Sequence, residues 1–93
     1  MFILMSVHHP RPEHRGALIE SMHRYGAAIR GREGLVAIHT LEDADSDRLV
    51  GLAVFASRDA FERLAPVARA AVSEDPFDEW ESVPIDGFRL TEV

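Results

Sequence analysis

The 93-residue chain carries 16 Asp and Glu against ten Arg, a formal net charge of -6, and has no Lys, Asn, Gln or Cys. The acidic balance argues against non-specific binding to nucleic acid, which draws its affinity from clustered cations. Without Lys there is no Schiff-base chemistry, and without Cys there is no disulfide, thiolate nucleophile or cysteine metal site.

The length suits one domain over residues 1–93, and a core this small gains from a partner subunit. No apolar run approaches the roughly 20 residues that span a bilayer. The N-terminal Met1 to Val7 segment lacks the basic flank of a signal peptide, so the expected location is cytoplasmic.

Phe2 to His8 reads as the first strand, with Ile3, Met5 and Val7 on one side and Phe2, Leu4, Ser6 and His8 on the other. Pro10 and Pro12 end it, and Pro12 fits the first turn of a helix, where its missing N–H costs nothing. Leu18, Met22, Tyr25 and Ile29 then recur at helical spacing, with Glu13, Glu20 and Arg24 on the far side. An amphipathic helix of about five turns is expected, closed by Gly31 and Gly34.

Gly34 to Ser57 holds two apolar runs, Leu35 to Leu41 and Arg48 to Phe55, around an acidic segment, which predicts a β-hairpin. Pairing Leu41 with Arg48 places Leu35, Ala37, His39, Leu41, Val50, Leu52 and Val54 on one face. Val36, Ile38, Thr40, Leu49, Gly51, Ala53 and Phe55 take the other, where Gly51 and Ala53 leave room for a helix. Asp43, Asp45 and Asp47 alternate like the start of a calcium loop, but Arg48 and Val54 stand where its glycine and closing glutamate belong, so a solvated turn is expected.

Ser57 is a good N-cap, with Asp59 in the following turn and Phe61, Leu64, Ala68 and Val72 as the apolar stripe. Pro66 predicts a kink or a split into two short helices near Leu64 to Pro66. Asp75 and Pro76 read as a cap and first-turn proline of a short helix through Phe77 and Trp80, and Ile85 to Val93 is the last strand. The order β-α-β-β-α-β predicts an α+β, ferredoxin-like antiparallel sheet with the first strand central, the second on an edge and two helices on one face. The uncovered apolar face calls for a second copy, giving a homodimer.

The run from Gly34-Leu35-Val36 to Val54-Phe55-Ala56-Ser57-Arg58-Asp59-Ala60-Phe61 resembles the antibiotic biosynthesis monooxygenase-like (ABM) family of the dimeric α+β barrel superfamily, and the resemblance covers essentially the whole chain. It implies a cofactor-independent monooxygenase acting on a small aromatic or phenolic compound, or a non-catalytic ligand-binding or interaction homodimer, or, third, a haem-degrading enzyme. The family's enzymes use an Asn, which this chain lacks. Where the haem-degrading branch has a Trp and a His in the second helix, this sequence has residues near Arg63 and Ser73.

Among the residues themselves, His39 is the candidate catalytic base, a lone imidazole on an apolar strand face; the competing reading is a core or interface histidine. Val50, Leu52, Val54, Tyr25, Phe77 and Trp80 are the expected lining of a site for a small apolar or aromatic ligand, with Phe77 and Trp80 either a lid or a plug. His8 and His9 lie about two strand spacings from His39, so no metal site is expected, and no cofactor.

Overall fold

A computed structural model describes residues 1–93. Strand β1 is Phe2–His8, and a 3-10 turn at Pro12–His14 leads into helix α1, Arg15–Ile29. Strands β2, Leu35–Glu42, and β3, Leu49–Phe55, form the hairpin. Helix α2, Arg58–Ala71, the short α3, Phe77–Trp80, and strand β4, Asp86–Thr91, complete the chain. The sheet order is β2-β3-β1-β4, antiparallel throughout, with β1 central and β2 on an edge: the ferredoxin-like α+β fold.

The hairpin register differs from the expected one by two residues, since Leu41 pairs with Val50 and Glu42 with Leu49. An even slip preserves which side chains share a face. A bulge between Leu35 and Ala37 does change it, because Leu35 pairs with Phe55 and joins the helix side while Val36 is left exposed.

Both helices cover the face that carries Phe2, Leu4, Ser6 and His8 of β1 and Leu49, Gly51, Ala53 and Phe55 of β3. On it Phe2 stacks 4.8 Å from Phe61, and Phe55 meets the same ring edge-on at 5.5 Å. Each such pair adds about 0.5–1.5 kcal/mol beyond burial alone. Ile29, Leu64, Ala65 and Ala68 complete this core.

Helix α2 runs unbroken through Pro66, correcting the expectation of a split. Pro66 and Glu62, whose carbonyl loses its partner, are both exposed, so water satisfies the freed oxygen while Phe61, Leu64, Ala65 and Ala68 anchor the helix on either side. Ser57 caps it through its side chain, accepting from the Ala60 N–H at 3.1 Å. Asp75 does not cap α3; Pro76 holds that position, and the Asp75 carboxylate reaches α1 instead. The last strand is shorter than expected, with Ile85 outside it.

Candidate functional site

Between the sheet and the helices lies a mostly apolar cavity of about 320 Å³. Leu4, Ile38 and Ala53 form its floor, and Met22 and Tyr25 of α1, Val72 after α2, and Phe77 of α3 form its walls. Gly51 keeps the floor low: a Cβ there would stand 2.7 Å from Ser6 Oγ and 3.5 Å from Met22 Cε.

Of the residues expected to line a site, Tyr25, Phe77, Leu52 and His39 border this cavity, whereas Val50, Val54 and Trp80 do not. Leu52 and His39 are cross-strand partners on the side of the sheet that the helices leave open, so strand alternation points their side chains away from the cavity. The His39 side chain is exposed there. Trp80 packs edge-on against Phe77, 5.8 Å between ring centres, behind the cavity wall.

Polar groups gather at one end. Ser6 and His8, two apart on β1, both face the cavity side. His8 Nε2 lies 2.9 Å from Ser6 Oγ and His8 Nδ1 lies 3.1 Å from Glu81 Oε2. Glu81 Oε1 accepts from the His9 backbone N–H at 3.2 Å. His8 and Glu81 are only 6% and 5% exposed, and the chain of hydrogen bonds meets the cavity at Ser6 and His8. A carboxylate can only accept, which puts the imidazole proton on Nδ1 and leaves the Nε2 lone pair to take the Ser6 O–H.

The alternation on β1 places Ser6 and His8 together at the sequence level, but nothing local singles out Glu81. It arrives because Pro10 bridges Glu81 and the Arg11 N–H donates to the Trp80 carbonyl, docking the segment after α3 along the end of β1.

Ser21, Tyr25, Thr40 and Arg69 add further polar groups at the cavity. Burial raises the Tyr25 pKa above the usual 10.0, with Arg69 opposing the shift, so the phenol stays a hydrogen-bond donor at neutral pH. No group of three or more His, Asp or Glu side chains converges as a metal site. Asp43 stabilises the hairpin turn itself, accepting from the Asp45 N–H, Ser46 and Arg48, which lowers its pKa to about 2.

These features define a ferredoxin-like α+β protein with an apolar cavity between sheet and helices and a buried imidazole–carboxylate pair at its edge. No family model and no curated protein matches the chain. Solved structures do. Rv0793 from Mycobacterium tuberculosis superposes with a TM-score of 0.83 at 22% identity, covering 99% of this chain and 94% of its own. A structure described as an antibiotic biosynthesis monooxygenase gives 0.80 at 11% identity, covering 100% of this chain and 99% of its own. PA3566 from Pseudomonas aeruginosa gives 0.81 at 14%, covering 99% of this chain and 93% of its own. At these identities the likeness establishes a shared fold, the one seen in proteins described as antibiotic biosynthesis monooxygenases.

Proposed function

We propose that the protein is a cofactor-independent monooxygenase of a small aromatic or phenolic compound, bound between the sheet and the helices of each subunit of a homodimer. The observation that carries this reading is the apolar cavity with a carboxylate-backed imidazole at its edge. A phenol in the cavity would donate its proton to Ser6 Oγ as Ser6 passes its own to His8 Nε2, and Glu81 would stabilise the imidazolium that forms. The resulting phenolate is electron-rich enough to react with oxygen. This assigns to His8 the role that the sequence suggested for His39.

The test is aerobic incubation with a panel of hydroquinones and anthrones, following oxygen uptake. We expect turnover in the wild type and a loss of about 10²–10⁴-fold in His8→Gln. No turnover beyond buffer would defeat the reading for those substrates, and loss in His39→Ala with His8→Gln unaffected would return the base to His39. The alternative, a non-catalytic ligand-binding homodimer, is favoured by the absence of any Asn in the chain. A cavity of about 320 Å³ counts against haem, being at the small end of ligand sites.

The homodimer reading rests on the face that the helices leave open, where Ile3, Met5, Val7, Leu52, Val54 and Phe88 form a nearly continuous apolar surface. Phe88 and Leu90 are 41% and 39% exposed on it. A second copy packed face to face would cover this surface and bury His39 at the seam. Sedimentation should give a dimer, and Leu52→Asp a monomer; a stable wild-type monomer at micromolar concentration would refute it.

A further inference from the structure

We propose that Ser6, His8 and Glu81 also constitute a nucleophilic site that hydrolyses small apolar esters. The inference shares the cavity and the Ser6–His8–Glu81 relay with the oxygenase reading, but it makes Ser6 a nucleophile and needs no oxygen.

Three features carry it. The connectivity runs carboxylate to Nδ1 and Nε2 to hydroxyl, at 3.1 Å and 2.9 Å, the order in which a general base activates a serine. The base and the carboxylate are buried, whereas Ser6 is half-buried and borders the cavity with His8 beside it, so the hydroxyl is the more accessible end of the chain. Gly51, the cross-strand partner of Ser6, has no side chain to crowd the hydroxyl: a methyl group there would stand 2.7 Å from Ser6 Oγ.

In the acylation step Ser6 Oγ forms a bond to the ester carbonyl carbon as its proton passes to His8 Nε2. The carbonyl oxygen becomes an oxyanion, for which Tyr25, Thr40 and Arg69 are donor-bearing residues among those lining the cavity. Collapse breaks the bond to the leaving oxygen, which takes the proton from His8. Water then attacks the acyl-Ser6 carbonyl, giving a proton to His8, and Ser6 recovers its proton as the carboxylic acid leaves. Ester and water become acid and alcohol, with no oxidant or cofactor consumed. Glu81 is a positioning residue, fixing the Nδ1 tautomer and stabilising the imidazolium. The apolar walls and the volume of about 320 Å³ select aryl or short-chain alkyl esters with one or two rings.

The experiment uses the intact chain in oxygen-free buffer, with a fluorophosphonate as covalent probe and p-nitrophenyl butyrate as substrate. Mass spectrometry should find one adduct per chain, on Ser6, absent in Ser6→Ala and formed at least 100-fold more slowly in His8→Gln. Glu81→Gln should lower kcat and shift the rising limb of its pH profile while leaving KM within about twofold; a merely structural Glu81 would not move that limb. His23→Ala, on the exposed side of α1, should behave as wild type. Should His8→Gln not fold, Gly51→Ala tests the same approach to Ser6 and should abolish labelling. No adduct, an adduct on another residue, or labelling retained in Ser6→Ala would overturn the proposal. Hydrolysis in the oxygen-free buffer separates this activity from the oxygenase reading, and oxygen uptake in the aerobic assay without a Ser6 adduct does the reverse.

Discussion

His8 and Glu81 stand 73 positions apart in the chain and meet at 3.1 Å, with side chains 8% and 2% exposed. Each keeps the other tolerable in a region closed to water, because an unpartnered carboxylate or imidazole there would lose its hydration without compensation. The pair also pins the segment after α3 to the end of β1, with the Ser82 N–H donating to the His9 carbonyl.

Glu81→Ala is therefore expected to destabilise the protein by about 3–5 kcal/mol, the cost of breaking a buried pair from one side. Urea unfolding measures it directly. A loss below about 1 kcal/mol would mean that water reaches His8 in solution.

Gly51→Ala should cost about 1–3 kcal/mol despite alanine's lower unfolded-state entropy, because the added methyl lies 2.7 Å from Ser6 Oγ on a packed sheet face. Pairing it with Ser6→Gly should recover part of the loss. If Gly51→Ala melts at or above the wild-type temperature, the contact between Gly51 and Ser6 across the two strands is loose enough to admit a methyl group.

Gly34 has φ +99°, and a Cβ would stand 2.7 Å from Ala60 Cβ, so both backbone and packing resist a side chain there. Gly34→Ala is expected to cost about 2–5 kcal/mol, the sum of left-handed strain and overpacking. Gly16→Ala, with open space around it, is the contrasting case and should be neutral or stabilising.

Asp75 accepts from Ser21 Oγ at 2.6 Å and Arg24 Nη2 at 2.8 Å, tying α1 to the chain that follows α2. The Ser21 hydrogen bond, then Arg24, holds its pKa below the ordinary 3.8. A depressed folded pKa stabilises the protein above the unfolded value and loses that contribution as pH falls through the folded one. The stability difference between wild type and Asp75→Asn should thus be constant above about pH 5 and shrink as the pH is lowered below 3.8. A difference that grew on acidification would contradict the hydrogen-bonding seen here.

Much of this protein is local and therefore legible in the sequence. Alternation along Phe2 to His8 placed Ser6 and His8 on one face, and the small side chains of Gly51 and Ala53 marked the face that the helices cover, because both signals depend on residues a few positions apart. The hairpin's face assignment survived a register slip because the slip was even, whereas the bulge at Leu35 and Ala37 left no sequence mark. The site was less legible. His39 and His8 are each a histidine on a strand, and the apolar Val50, Leu52 and Val54 beside His39 made that face the more conspicuous. Only the docking of the segment after α3 gives His8 a carboxylate partner. It brings one of 16 acidic residues, Glu81, into the interior beside His8. Periodicity and propensity act over a turn or a strand, but the partner of a buried charge is chosen by where the chain returns, which is set by the packing of the whole.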